Sequence, residues 1–365
     1  DCPVLQVVLS SGGADDWARN SRGLSPRDLA MQAALPELDG RILSRAISFK
    51  AAARFDAATQ CNIVESEPVA DRVDFVADLA QSWIRLRRKP VGERTVAIVL
   101  ANYPNRDGRI GNGVGLDTPA GTINVLRALR EAGYAVADIP ADGDALIDRL
   151  LGGQTNAADS RERMTPIHLD REDYESFFAT LPPAVRHAVV ARWGTAGQDP
   201  FFTEGRFRLP LLGFGSVLIG IQPARGYNID PVASYHDPDL VPPHGYFAFY
   251  AYLRQVAGVD AIVNMGKHGN LEWLPGKALA LSAECFPEAA MGAVPLIYPF
   301  IVNDPGEGTQ AKRRSAAVIV DHLTPPLTRA ESYGPLRELE ALVDEYYEAS
   351  QVDPRRCAVL KGKIV

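Results

Sequence analysis

Short β-rich apolar runs alternate with longer stretches whose apolar residues recur near every 3.6 positions, and this alternation constrains the fold more than any other feature. Val4–Leu9, Ile42–Phe49, Thr95–Leu100, Ala135–Ile139, Ala261–Asn264, Leu296–Val302 and Ala316–Asp321 read as strands. Between them, residues 68–88 carry Val69, Val73, Val76, Ala80, Trp83 and Ile84 at helical spacing. Residues 119–132, 244–257 and 336–349 read the same way. Strands interleaved with helices imply parallel βαβ units, so the expected class is α/β, with several βαβ (Rossmann-like) layers. The middle departs from this pattern. Two short helices near 170–180 and 184–194 precede two runs, Arg206–Leu212 and Ser216–Ile221, joined by Gly-Phe-Gly as a hairpin. The expected organisation is an α/β subdomain over 1–92, a second over 93–155 with a glycine-rich loop, a small helical and hairpin insertion over 156–230, and a third α/β subdomain over 231–365.

With 365 residues the chain is long enough to bury a large core without a disulfide or metal staple. Apolar residues at 46% and charged ones at 23% exclude disorder, collagen and coiled coil. The 38 basic against 45 acidic residues give a charge of −7, a poor match to nucleic acid or an anionic membrane. The longest apolar stretch, near 278–302, contains Glu284, Glu288 and several prolines and does not suit a bilayer. The four cysteines lie far apart, which excludes a CxxC motif and fits a reducing cytoplasm. The opening Asp1-Cys2-Pro3 reads as the start of an excised piece of a longer protein.

Three loops carry the chemistry. After the strand Thr95–Leu100 runs Asn-Tyr-Pro-Asn-Arg-Asp-Gly-Arg-Ile-Gly-Asn-Gly-Val-Gly-Leu-Asp-Thr-Pro (102–119), leading into a helix that Asp117 or Thr118 can cap. Its glycines allow close backbone approach to a ligand. Arg106 and Arg109, with Asn112 between the glycines, suit a carboxylate or phosphate. The spacing fails the Rossmann fingerprint, so an anion loop and a structural loop both remain open. The second loop, Met265-Gly-Lys-His-Gly-Asn-Leu-Glu-Trp-Leu-Pro-Gly-Lys277, lies beyond the carboxyl end of a strand, where α/β proteins bind ligands. His268 and Glu272 are four apart and share a face if the segment is helical. Imidazole plus carboxylate can bind a divalent transition metal or share base work. His236, in Tyr-His-Asp-Pro-Asp, is a third candidate ligand; His168, His187 and His322 read as structural or surface residues. The third loop, Asn303-Asp-Pro-Gly-Glu-Gly-Thr-Gln-Ala-Lys-Arg-Arg314, follows another strand, starts a helix at Pro305, and is read as sharing a crevice with the second. H-E-x-x-H, P-loop and G-x-S-x-G motifs are all absent.

At 102–119, 265–277, 298–314 and Asp321–Leu336 the sequence resembles the large subunit of aerobic cobaltochelatase and, more distantly, the large (H) subunit of magnesium chelatase. The tract 102–119 looks like the cobalt branch. The resemblance implies a metal chelatase inserting Co²⁺ into hydrogenobyrinic acid a,c-diamide in aerobic cobalamin synthesis. ATP and Mg²⁺ would act on two smaller partner subunits, one an AAA+ ATPase, which agrees with the missing P-loop. On that reading His268 and Glu272 are the catalytic and metal-binding pair, with His236 as a further metal ligand. Arg106, Arg109, Asn112, Lys267, Lys312 and Arg313 would hold the corrinoid. A magnesium-chelatase-type porphyrin-binding subunit, a tetrapyrrole or partner-binding module without catalysis, and an unrelated α/β enzyme acting on a phosphorylated small molecule are the alternatives.

Overall fold

A computed structural model describes residues 2–102, 105, 107–113, 115–163, 165–226, 237–324, 335–350 and 354–364. Residues 1–323 form one compact unit and 324–365 another. In the first, β1 (Leu5–Leu9) pairs in parallel with β2 (Ile42–Asp56), which forms an antiparallel ribbon with β3 (Cys61–Pro68). Next come β4 (Val96–Leu100) and a small antiparallel sheet of β5 (His168–Asp170), β6 (Phe202–Thr203) and β7 (Arg206–Arg208). The strands β8 (Leu211–Phe214), β9 (Val217–Ile221), β10 (Ala261–Met265), β11 (Leu296–Ile301) and β12 (Val318–His322) join β4 in a six-stranded sheet ordered β12-β11-β10-β4-β9-β8. All its pairings are parallel except β8 with β9. The α/β class is as expected. The second unit contains the helices Pro335–Ser350 and Pro354–Ile364, bridged by Arg356 and Glu345.

The sequence of β4 shows why it is central. Every residue of Val-Ala-Ile-Val-Leu is buried, as a parallel strand covered on both faces must be. Ala97 and Val99 enter one core with Phe247, Phe249 and Tyr298; Ile98 and Leu100 enter the other with Ile123, Leu126, Leu146 and Leu150. Each such large apolar side chain contributes about 1.5–3 kcal/mol by burial. Helices Thr118–Glu131 and Gly143–Leu151 thus cover one face, and His244–Ala251 and Phe286–Met291 the other. Packing is tight enough at β9 that a Cβ on Gly220 would lie 2.6 Å from Leu211 Cδ2 and 2.9 Å from Phe249 Cζ.

Several boundaries differ from the sequence reading. Ala135–Ile139 is not a strand: only Val136 bridges to Gly215, and Asp138 turns the chain at φ 51°. The run Arg206–Leu212 divides, because Pro210 has no N–H for a continuous ladder; its first part pairs with β5 and its remainder opens the expected hairpin with β9. The strand from Ile42 continues past Phe49 to Asp56 because β3 pairs along it. β3 itself is almost wholly exposed and polar, so it carries no alternating apolar signal. The helix over 244–257 closes with a π turn at Tyr252–Val256. Among the described residues no helix is long and apolar enough to cross a membrane.

Two buried polar contacts link the layers. Arg45 on β2 is 3% exposed; it reaches Glu288 on the helix Phe286–Met291 at 2.7–2.8 Å and lies 3.8 Å over the Phe75 ring. Burial pushes the Glu288 carboxyl up, and the Arg45 charge opposes that. Removing one partner of a buried pair leaves an uncompensated charge. Arg45→Ala should therefore lose about 3–5 kcal/mol in urea unfolding, and Arg45→Met with Glu288→Met should recover most of it.

His244 is the second. Its Nε2–H donates to Gly194 O (3.0 Å), a carbonyl that only accepts, so Nδ1 accepts from the Tyr174 hydroxyl (2.6 Å). Burial holds its pKa below the ordinary 6.5. Below pH 6.5 the unfolded chain therefore binds a proton that the folded chain refuses. Stability should fall as pH drops from 7 toward 5, and His244→Gln, which keeps a donor and an acceptor, should flatten that slope in thermal melts.

Candidate functional site

Strand order reverses between β4 and β10: from β4 the chain moves to β9 on one side, then returns to β10 on the other and proceeds outward to β11 and β12. Ligands of open α/β sheets bind beyond the carboxyl ends of the strands at such a point. Leu100 pairs with Met265, so the loops that follow leave the sheet together. Gly266 sits at φ 108°, where a Cβ would come 3.0 Å from Ala101 Cβ and 3.1 Å from Asn112 O. Only glycine lets the glycine-rich loop and the His/Glu loop pass this closely. The two loops singled out in the sequence therefore meet at their bases.

A cavity of about 490 Å³ opens here, walled by the segments after β9 (Arg225, Asp237), β10 (His268, Trp273) and β11 (Glu307, Arg314). His268 Nδ1–H donates to Gly269 O at 2.9 Å, which leaves the lone pair of the neutral ring on Nε2. The chain after His268 is not an α-helix. It runs through Gly269 and Asn270 into a single 3-10 turn, Leu271–Trp273, so helical i,i+4 geometry does not relate His268 to Glu272. Asn270 fixes that bend: its Nδ2 donates to Pro223 O (2.8 Å) and its Oδ1 accepts from the Tyr246 hydroxyl (2.8 Å).

Glu272 lies behind the wall at 2% exposure. Its Oε1 accepts from the Tyr298 hydroxyl (3.3 Å), which in turn accepts from Gly269 N–H. Burial pushes the Glu272 carboxyl up; its own backbone N–H, the His268 charge and Tyr298 pull it partly back, and Glu307 adds to the rise. The His268 charge thus favours the ionised form of Glu272, and of the two side chains His268 is the one on the cavity wall.

The helix Pro305–Ser315 explains which of the third loop's polar residues matter. Glu307, Gln310 and Arg314 are spaced i, i+3, i+7, one helical face, and all three line the cavity. Lys312 and Arg313 fall off that face. Arg313 instead makes a two-pronged bond to Glu37 (2.9 and 2.8 Å), while Lys312 is half-buried away from the lining. Lys267 pairs with Asp304 and holds that carboxyl below its usual range. Arg109 is exposed in a 3-10 turn, and Asn112 is half-buried in the glycine-rich loop; neither lines the cavity. Arg106 and His236 lie outside the described residues.

Arg225 and Arg314 were not among the candidate residues, and both are 7–8% exposed in the cavity wall. Together they hold successive carbonyls of the loop that carries Glu272. Arg314 donates to Glu272 O, Leu274 O (2.7 Å) and Lys277 O (3.0 Å), and Arg225 donates to Trp273 O (2.7 Å). Arg314 had a legible signal, its helical spacing from Glu307; Arg225, in a segment without regular structure, had none. No group of three or more His, Cys, Asp or Glu that could hold a metal occurs among the described residues. Such chemistry offers imidazole and carboxylates for a proton or a transient cation, and guanidinium groups for an anion. Tyr298→Phe removes the acceptor of a buried N–H and should cost about 1–3 kcal/mol, read by urea unfolding at pH 7, with the secondary structure retained.

The CobN/Magnesium Chelatase family profile matches residues 1–365. The aerobic cobaltochelatase subunit CobN of Sinorhizobium sp. is 63% identical over all of this chain and 28% of its own length, and that of Pseudomonas aeruginosa is 58% identical over all of this chain and 29% of its own. The magnesium-chelatase (H) subunit of Cereibacter sphaeroides is 32% identical over 93% of this chain and 29% of its own. Among solved structures, the catalytic subunit of cobaltochelatase from Mycobacterium tuberculosis superposes with a TM-score of 0.80 at 43% identity, covering all of this chain and 30% of that one. The chain thus spans less than a third of the relatives it matches. By fold and by similarity along its whole length, the chain belongs to the CobN/magnesium chelatase family.

Proposed function

We propose that this chain carries the metal-insertion site of a cytoplasmic aerobic cobaltochelatase, acting on Co²⁺ and hydrogenobyrinic acid a,c-diamide as substrates in cobalamin biosynthesis. One observation carries the reading: His268 lines a cavity of about 490 Å³ at the strand-order reversal, with the buried Glu272 joined to the adjacent Gly269 through the Tyr298 hydroxyl and guanidinium groups in the same wall. Insertion requires removal of ring protons and of water from the ion. The Nε2 lone pair of His268 is the group oriented by the Gly269 carbonyl to receive a ring proton or hand over the cation. Glu272 stabilises the imidazolium that results, as a buried carboxylate beside it does. Imidazole and carboxylate also suit a cation that must be released, because Co²⁺ sits mid-series in affinity. Nucleotide hydrolysis falls to partner subunits, an AAA+ ATPase with its Mg²⁺ and a second small subunit; this chain has no P-loop. The higher identity to cobaltochelatases than to magnesium chelatases supports the cobalt branch.

The test is metal insertion by the full-length large subunit reconstituted with its partner subunits. His268→Ala and Glu272→Gln should each lower kcat by roughly 100-fold or more, the size of a general acid–base contribution. Corrinoid affinity, measured by absorbance titration, should change little. Full insertion rates in both variants would instead favour a binding module whose chemistry lies elsewhere.

A further inference from the structure

On the metal-insertion reading the cavity needs a partner for anionic groups, and the described cations that the sequence suggested are engaged or lie elsewhere. Arg313 is bound to Glu37 and Lys267 to Asp304, and Arg109 and Lys312 do not line the wall. Among the described residues, the guanidinium groups that do line it are Arg225 and Arg314. Arg314 uses one N–H on each of Nε, Nη1 and Nη2 for Lys277 O, Glu272 O and Leu274 O. A guanidinium has five N–H donors in a planar fork. One donor on each Nη of Arg314 therefore has no acceptor among the described residues.

Burial disfavours the cationic form of Arg314, Cys285 and Glu272 favour it, and the like charge of Arg225 makes a smaller contribution against it. Two guanidinium groups that line one cavity, each more than nine-tenths buried, are stabilised by an anion beside them. The same cavity carries Asp237 and Glu307, whose two charges offset those of the two guanidinium groups. That balance fits a monoanionic carboxylate better than a polyanion such as a phosphate ester. The paired donors of the guanidinium match the two oxygens of a carboxylate, a geometry that lysine lacks.

We propose that Arg314, with Arg225 beside it, is the subsite that receives a peripheral carboxylate of the macrocyclic substrate, whose oxygens accept the two remaining Nη–H donors. The assignment rests on the metal-insertion reading of the same cavity and adds a rule of selection. A substrate edge bearing carboxylate is taken here, and the same edge as a neutral ester is not. Because Arg314 also ties the backbone of the loop that bears Glu272, the bound edge and the reacting centre are positioned by one group.

The test titrates the full-length subunit with the metal-free corrinoid acid and with its peripheral methyl ester, following the absorbance bands. In the unmodified protein the ester should bind about 10-fold or more weaker, the size of a lost charged hydrogen bond. Arg314→Lys should weaken the acid about 10-fold and leave the ester within about 2-fold, so that the acid-to-ester ratio falls toward one. Arg225→Lys is a second variant, expected to lower the same ratio, and the ester comparison needs no variant at all if Arg314→Lys does not fold. Equal binding of acid and ester by the unmodified protein overturns the carboxylate subsite and leaves the metal-insertion reading standing. So does equal weakening of both forms by Arg314→Lys. Binding of neither form by the unmodified protein overturns both.

Discussion

Parallel pairing of β4 with β10 is the constraint from which the rest follows. It sets Leu100 level with Met265, so two loops must leave the sheet at one height and diverge. They do so only because Gly266 takes a φ of 108° with no side chain between Ala101 and Asn112 O. Since strand order reverses at this pair, no crossover helix fills the space above it, and the crevice stays open. The burial of β4 on both faces fixes the pair rigidly, because Ala97 to Leu100 are each packed by one of two cores.

Above that crevice the chain uses backbone, rather than regular structure, to hold its chemistry. The loop from His268 to Lys277 has one short turn, so its carbonyls lack the partners that a helix would supply. Arg314 supplies them from the helix after β11 and Arg225 from the segment after β9, while Tyr298 and Asn270 hold the near end. The result is a site whose two electrostatic halves are built by the same residues that fix its shape. His268, Glu272 and Glu307 lie after β10 and β11, and guanidinium groups tie the loop between them. A buried guanidinium is costly unless its donors are used, and carbonyls are the neutral acceptors that satisfy it while preserving its charge for a ligand.

How much of this was legible varies by element. The strands of the main sheet and the long helices were readable because two-sided burial and one-sided amphipathicity leave strong periodic signals. β3 was not, since its pairing with β2 depends on backbone bonds while its side chains face solvent. The 135–139 segment has a strand's composition, yet it gains one bridge, at the β8–β9 turn. His268 and the third loop's polar cluster stood out by position after strands. The choice among that cluster's charges did not: Lys312, Arg313 and Arg314 are consecutive and alike in sequence, and 100° per residue sends each to a different neighbour.

Local sequence was enough to set the α/β alternation, the three loops at strand ends, and the family, because these reside in periodicity and in motifs of contiguous residues. Packing between distant elements settled that Glu272 sits behind the wall rather than on it, that Arg313 serves Glu37, and that Arg225 and Arg314 converge on one loop. Those outcomes depend on which strand lies beside which and on how far a side chain's own donors are already engaged. Both are sums over residues distant in the chain, and no window along it contains them.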